Sequence, residues 1–311
     1  MRSHVRTLRV AGAVVLAAGA VLLGSACSTP TVRAACAKTL VASTLPAFTD
    51  PALVEISGIA ASRTNPGLWW VHNDSGDRAR VFAVDESGAV RATFAVSGAS
   101  AIDWEDVAVG PGPLAGVNYL YVADIGDNPS LRPDVVVYRM AEPVVPPGQT
   151  TGTITGVEAL RLRYPDGAHD AEALALDPLS RSIVVLTKNL AGGAQGAYAV
   201  SDGIAGGSTT TMAALGAVTM PAGGAGAITG ADVSSNGLQL AIRSYGGVRI
   251  VGRTLDVPLD RFITGGTGSF GCPGPTPAEI QGEAVGFRAD GRGYVTVSEG
   301  SGAQIHRYNA P

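Results

Sequence analysis

The sequence predicts an all-β protein, most simply a β-propeller of five blades. Short apolar runs separated by Gly, Pro, Asn and Asp fill the chain after residue 35, and no convincing helical periodicity accompanies them. The runs recur as five similar units, each made of a strand of small residues, a bulkier strand and a third strand. The last unit ends at the C-terminus after three strands, so residues 38–45 are predicted to supply its fourth and close the ring.

The N-terminal residues predict export. Arg2, Arg6 and Arg9 precede an apolar run over residues 10–23, which is too short to span a bilayer comfortably. Small residues then lead to Cys27, as in the lipobox of bacterial lipoproteins, so residues 1–26 are predicted to be a lipoprotein signal peptide and Cys27 the lipidated residue. Ordinary secretion with cleavage nearby is the alternative. Under the first interpretation residues 27–35 are a tether, residues 36–311 form one propeller domain, and the protein is anchored to the outer face of the cell membrane.

Composition and net charge limit the kinds of partner that the protein is expected to bind. The chain has 311 residues, of which 46% are hydrophobic and 15% charged, which allows a large core. Its net charge is −4, and removal of the three arginines in residues 1–26 lowers it to −7. Without a basic stripe to neutralise phosphates, nucleic acid is not expected as a partner. No later stretch could cross a membrane, so we expect a monomer attached only through its lipid, with a small molecule or an envelope protein as the unknown partner.

Two cysteines remain for the fold. Cys36 precedes the predicted closing strand, and Cys272 lies just before the last unit. Exported proteins usually pair their remaining thiols, whereas two isolated cysteines lack the spacing of a zinc site. A disulfide that fastens the ring closure is therefore predicted.

The five units are assigned as follows. Their first strands cover residues 55–60, 104–109, 170–176, 230–234 and 282–287. Their second strands cover residues 68–74, 119–124, 183–188, 238–243 and 293–299. Fourth strands are predicted over residues 90–96, 157–164 and 212–220. The gap between the second and third units is long, so a sixth, degenerate blade is the alternative.

Propeller topology brings many polar residues to one end of the channel. First strands begin, and second strands end, on the same face of the ring. The residues at these places are Ser57, His72, Asn73, Asp74, Asp103, Glu105, Asp124, Asp127, Asn128, His169, Asp170, Glu172, Lys188, Asn189, Arg243, Tyr245, Glu283 and Glu299. So many carboxylates in one place repel each other, and some must be neutralised.

A bound cation is the simplest neutraliser. Carboxylate oxygens are hard ligands suited to Ca²⁺ or Mg²⁺. The predicted ligands are Asp74, Glu105, Asp124, Asp127, Glu172 and Glu283. Ion pairs with Lys188 and Arg243, or raised pKa values, would also serve, and the segment 124–128 is equally well explained as a structural turn.

Several motifs resemble exported bacterial propellers of the phytase-like, or esterase-like, group. They are Val71-His72-Asn73-Asp74, Trp104-Glu105-Asp106-Val107-Ala108, Ala123-Asp124-Ile125-Gly126-Asp127-Asn128, Tyr164-Pro165-Asp166-Gly167, Asp170-Ala171-Glu172-Ala173-Leu174 and Gln281-Gly282-Glu283-Ala284. The resemblance implies a propeller, export, and calcium-dependent phosphoesterase or esterase chemistry. The fourth unit departs from the pattern, because Thr229-Gly230-Ala231-Asp232 lacks the glutamate of its siblings.

Two functions follow as hypotheses. The first is a module that binds a ligand or an envelope partner at the cation-binding mouth. The alternative is a metal-dependent phosphoesterase or esterase, in which Glu105, Glu172 and Glu283 hold the cation and His72 or His169 is the general base. Serine-hydrolase elbows, phosphate-binding loops and zinc-protease motifs do not occur in the sequence.

Overall fold

The structure, a computed structural model, describes residues 29–190, 194–218, 220, 226–279 and 281–311. The predicted signal peptide (residues 1–26) and the lipidation site Cys27 lie outside the described residues. In the part of the chain that the structure describes, each helix is too short or too polar to span a bilayer.

The chain forms a five-bladed β-propeller, as predicted, after a short helix α1 (Pro30–Ala37) and a strand β1 (Val41–Ala47). Blade 1 consists of β2 (Ile56–Ala61), β3 (Leu68–Asn73), β4 (Arg80–Asp85) and β5 (Val90–Val96). Blade 2 contains β6 (Trp104–Pro111), β7 (Asn118–Asp124) and β8 (Val135–Ala141), followed in the chain by β9 (Thr151–Ile154) and β10 (Glu158–Arg163). Blade 3 contains β11 (Ala171–Asp177), β12 (Ser182–Thr187) and β13 (Gln195–Ser201), followed by β14 (Thr209–Thr211) and β15 (Ala213–Val218).

Blade 4 consists of β16 (Ile228–Val233), β17 (Gln239–Ser244), β18 (Gly247–Gly252) and β19 (Phe270–Gly274), with a short helix α2 (Leu259–Thr264) before its last strand. Blade 5 is formed by β20 (Gly282–Phe287), β21 (Gly293–Ser298), β22 (Gln304–Asn309) and the N-terminal β1. The first strand of every blade lies innermost and is buried on both faces, because small side chains let neighbouring blades approach near the axis.

Ring closure occurs as the sequence predicts. β1 pairs antiparallel with β22, with Val41 opposite Asn309. The predicted disulfide between Cys36 and Cys272 is present, and its Cα atoms lie 5.1 Å apart. It joins the end of α1 to β19 of blade 4.

Of the predicted tether over residues 27–35, residues 30–35 belong to a helix in the structure. Residues Pro30–Ala37 form α1, whose Val32 and Ala35 are buried against blades 4 and 5. Proline at the first helical turn and a left-handed Lys38 at the end delimit this helix. Its eight residues gain their stability from packing rather than from length, which explains why periodicity did not reveal it.

The long gap between the second and third units does not form a sixth blade. It contains a segment that links blades 1 and 2, which we call the brace. After β8 the chain crosses to blade 1, where β9 pairs parallel with β5, and then returns as β10. β14 pairs in the same way with β10 of blade 2, while α2 packs on β15 of blade 3 and α1 packs on β19 of blade 4. Segments from the following blade, or from the N-terminus, thus cover the outer edges of blades 1 to 4, which leaves fewer unpaired strand edges.

Candidate functional site

A β-bulge at the same place in each of the five inner strands builds the channel mouth. In every first strand, one extra residue lies between two residues that pair with consecutive positions of the second strand. These bulge residues are Ser57, Glu105, Glu172, Thr229 and Glu283. Bulges redirect side chains and are common beside active sites. Comparison of the five repeated units in the sequence had identified four of these five bulge residues. The missing member in the fourth unit is Thr229.

The two hydroxyl-bearing bulge residues hold neighbouring blades together. The Ser57 hydroxyl donates to the backbone carbonyl of Glu105 at 2.7 Å, and the Thr229 hydroxyl donates to the carbonyl of Gly282 at 2.8 Å. The three glutamates are therefore the bulge residues that carry charge at the mouth, and each is at most 5% exposed.

A second set of equivalent residues lies just beyond the ends of the second strands. Each donates its backbone N–H to a carbonyl at the start of its own blade's first strand. The set comprises Asp74, Gly126, Lys188, Tyr245 and Glu299, and the carbonyls belong to Glu55, Asp103, Asp170, Ala227 and Gln281. Each of the five blades thus contributes three kinds of residue to the mouth: a bulge residue, a residue just after the second strand, and a residue at the start of the first strand.

Three carboxylates of this mouth converge closely. One oxygen from each of Asp74, Asp103 and Glu105 lies within 4.8 Å of the others. Gly126 packs directly against two of them, because a Cβ at this position would stand 2.3 Å from Glu105 Oε1 and 2.4 Å from Asp103 Oδ2. We call Asp74, Asp103 and Glu105 the acidic triad. Asp74 and Glu105 belong to the predicted ligand set, whereas Asp103 was predicted to lie at the mouth but not to be a ligand.

The triad resists carrying three negative charges. Burial, reinforced by the charge of Asp74, raises the pKa of Asp103 to about 6. Burial and the charges of Asp74 and Asp103 raise the pKa of Glu105 well above its usual range. The pKa of Asp74 is also raised, mainly by burial. Protons or a cation must therefore neutralise part of this cluster at neutral pH.

Lys188 brings a positive charge to the mouth. It is ion-paired with Glu172, and its ammonium lies 5.2 Å from the ring centre of Tyr245. The predicted ligand Glu172 is thus already neutralised by a partner. Glu283 differs, because its Oε2 is buried without a hydrogen-bond partner among the described residues. Burial raises the pKa of Glu283 despite the nearby charge of Lys188.

Asp124 and Asp127 stabilise loops in the structure. Asp124 accepts hydrogen bonds from the backbone N–H groups of Ile102 and Asp103 and is paired with Arg132 at 2.9 Å. Asp127 accepts from the N–H groups of Leu131 at 3.0 Å and Arg132 at 2.7 Å. Their oxygens are occupied by these donors, which favours the structural-turn interpretation of this segment over a ligand role.

His72 is buried away from the mouth's open space. It is 0% exposed, and its Nδ1 lies 2.8 Å from the carbonyl of Asn73. The ring packs edge-on against Trp104, with 5.7 Å between ring centres. Burial lowers its pKa to about 4. The general-base role predicted for His72 requires access to a substrate, and this position provides none.

His169 lies at the surface of a cleft beside the mouth. Its Nε2 is 3.0 Å from Asp166 Oδ1 and 3.1 Å from the hydroxyl of Tyr198, which itself donates to Asp166. Among the described residues, the cleft of about 650 Å³ is lined by these three side chains together with Asp170 and Lys188. It therefore connects the acidic mouth with the histidine of blade 3.

Deeper acids link the blades below the mouth. Asp106 of blade 2 is fully buried and accepts from the backbone N–H of Leu174 at 2.9 Å and of Ala231 at 3.2 Å. Asp232 of blade 4 accepts from the N–H of Phe287 at 2.6 Å. These inter-blade roles were not predicted, since they depend on which strands become neighbours. Arg243, predicted at the mouth, is also buried in a blade interface, where it pairs with Glu279.

Comparisons with known proteins support the fold. No protein-family model matches the chain, and no curated protein matches its sequence. Among solved structures it is similar to XC5397 from Xanthomonas campestris, described as a gluconolactonase important in glucose secondary metabolic pathways. The identity is 15%, the TM-score is 0.50, and the match covers 92% of this chain and 96% of the other. At this identity the likeness shows the propeller fold alone.

Proposed function

We propose that this protein is a divalent-cation-dependent hydrolase of small, uncharged esters or lactones. The acidic triad carries the proposal, since three hard oxygen ligands converge within 4.8 Å at the mouth of the channel. A second observation supports a ligand there, because the buried Oε2 of Glu283 has no hydrogen-bond partner in the described part of the chain. The gluconolactonase activity of XC5397 is consistent with this class of reaction but belongs to that protein.

The donor set fits Ca²⁺ or Mg²⁺. Asp74, Asp103 and Glu105 would hold the ion, and Gly126 leaves room for their carboxylates to approach. A bound ion would polarise a carbonyl and lower the pKa of its water. The general base in this proposal is His169, which lines the cleft together with Asp170 and whose ring is hydrogen-bonded to Asp166.

Charge favours a carboxylic ester or lactone over a phosphate ester. Phosphate needs several cationic groups around it. At this mouth Lys188 is paired with Glu172, Arg132 with Asp124, and the predicted Arg243 is buried with Glu279. A substrate without charge avoids the repulsion that the remaining carboxylates would exert on a phosphate. The phytase-like activity implied by the sequence motifs is therefore the weaker of the two hydrolase candidates.

Metal analysis and substrate assays test the proposal. The chain from Ser28 onward is purified, its bound metal is measured, and turnover of nitrophenyl esters, lactones and nitrophenyl phosphates is compared with and without a chelator. We expect chelator-sensitive turnover of esters or lactones that Glu105→Gln abolishes. Glu86→Gln, on an exposed turn of the opposite face, is the matched control and should retain turnover. Activity that ignores both the chelator and Glu105→Gln would contradict the proposal.

A binding module without turnover is the second candidate. The burial of His72 favours this candidate, because one of the two predicted general bases is inaccessible to a substrate. Ser57 is not available as a nucleophile, since its hydroxyl donates to the backbone carbonyl of Glu105. A protein that binds calcium tightly but leaves every ester, lactone and phosphate intact would support this candidate.

A further inference from the structure

The N-terminus of the fold lies on the face opposite the mouth. We call this the base face; it carries the turns between the first and second strands of each blade. Thr29 is 4% exposed, and the hydroxyl of Thr31 donates to the carbonyl of Gly291 at 2.9 Å. Gly291 belongs to the turn between β20 and β21, so the start of α1 is fastened to the base face of blade 5.

Chain length then limits where a lipid on Cys27 can lie. Ser28 alone separates Cys27 from Thr29, and two peptide units reach at most about 7 Å. A six-residue strand such as β17 spans about 20 Å from the base face to the mouth. The residue that carries the lipid therefore stays near the base face, and its acyl chains bring the membrane to that face near blades 4 and 5.

The base face also offers apolar side chains. Of the eleven large apolar residues exposed in the described part of the chain, seven lie at the base and four near the mouth. The base residues are Val41, Leu114, Val117, Val144, Leu179, Leu255 and Phe270. Leu255 follows β18 and Phe270 begins β19, the two strands of blade 4 on which α1 packs. The exposed Arg33 and Lys38 of the α1 segment add positive charge suited to anionic headgroups.

We infer that the base face rests on a lipid bilayer and that the acidic mouth points away from it. This orientation rests on lipidation of Cys27, which the sequence predicts, and on the position of α1. Exposed apolar side chains beside the anchor insert into the boundary between headgroups and acyl chains and supplement a lipid anchor. The mouth and its cleft then face outward, where a soluble ligand reaches them without crossing the membrane surface.

Two leucines on opposite faces provide a matched test. Leu255 on the base face and Leu131 beside the mouth are both 77% exposed, so a cysteine at either place should be tolerated. Leu255→Cys and Leu131→Cys are prepared in the full chain, purified from the membranes of an exporting bacterium, and labelled with a fluorophore. Each is reconstituted into phosphatidylcholine–phosphatidylglycerol vesicles with or without brominated phosphatidylcholine as quencher.

We expect brominated lipid to reduce the fluorescence at position 255 by about twofold and to leave position 131 unchanged, because quenching requires contact with the acyl region. Intact mass must show the lipid on Cys27, and disulfide mapping must show the Cys36–Cys272 pair in both variants. Equal quenching at the two positions, stronger quenching at position 131, or no quenching at either would overturn the orientation. A mature chain without lipid would overturn it as well, since the anchor would be missing.

Discussion

Gly126→Ala should weaken cation binding much more than it weakens the fold. The added Cβ would lie 2.3 Å from Glu105 Oε1 and 2.4 Å from Asp103 Oδ2. Both distances are more than 1 Å inside the separation of about 3.5 Å at which non-bonded atoms rest. Asp103 Cγ would lie 2.5 Å away as well, so the side chains of Asp103 and Glu105 must turn aside while the backbone stays in place. In doing so they leave the arrangement that brings the triad's oxygens together.

The two effects have different magnitudes. Overpacking costs about 1–3 kcal/mol, and we expect the lower end because side-chain ends move here. Loss of backbone freedom in the unfolded chain offsets about 0.4–1 kcal/mol of that cost. The net loss of unfolding free energy should therefore be about 1 kcal/mol or less. Disturbing a group that orients metal ligands lowers affinity about 10–100-fold, so calcium affinity should fall by that factor.

Calorimetry separates the two effects. Isothermal titration gives the calcium affinity, and differential scanning calorimetry with chelator gives the stability of the cation-free protein. Gly203→Ala is the control, because its Cβ would meet Ser201 Oγ at an ordinary 3.5 Å. If Gly126→Ala bound calcium as tightly as Gly203→Ala and the unsubstituted protein, the triad beside Gly126 would not be the cation site.

Three further predictions concern the charge and closure of the ring. Calcium affinity should fall as the pH is lowered from 8 to 5, by up to about tenfold per pH unit for each proton released, because protons compete for Asp103, whose pKa burial raises to about 6; titrations at several pH values that gave a constant affinity would contradict this. Lys188→Met should tighten calcium binding about tenfold by removing one positive charge from the mouth, whereas Lys38→Met on the opposite side should not, as titration calorimetry can show. Replacing Cys36 and Cys272 with serine should lower the unfolding free energy by up to about 5 kcal/mol, since the bond joins residues 236 positions apart; a denaturant midpoint equal to that of the oxidised protein would show that the bond adds no stability.

Regular features of the fold could be predicted from local pattern. The alternation of small and bulky strands located all five blades. The incomplete last unit pointed to residues 38–45 as the closing strand, and the structure forms that strand over Val41–Ala47. The same alignment placed Ser57, Glu105, Glu172 and Glu283 at equivalent positions, which the structure shows to be bulges. These predictions succeeded because strand periodicity and turn residues are local properties of the chain.

The candidate site required contacts between distant segments. Asp74, Asp103 and Glu105 converge only when the end of blade 1's second strand meets the start of blade 2's first strand. Likewise, sequence alone did not distinguish Asp124, which is paired with Arg132, from Glu283, whose Oε2 has no hydrogen-bond partner among the residues that the structure describes. Types of residue predict that an acidic mouth exists, but the neighbours of each carboxylate decide which of them remain available to a ligand.

By itself, the sequence determined the all-β class, the five repeats, the disulfide partners and the acidic character of one channel end, because each follows from residue type, order and spacing. The tertiary structure alone decided that the gap after blade 2 is a brace, that residues 30–37 pack as a helix, and that His72 is buried. It also showed that Gly126 leaves space for two carboxylates. These features depend on which segments become neighbours in space, and the local sequence pattern does not determine those neighbours.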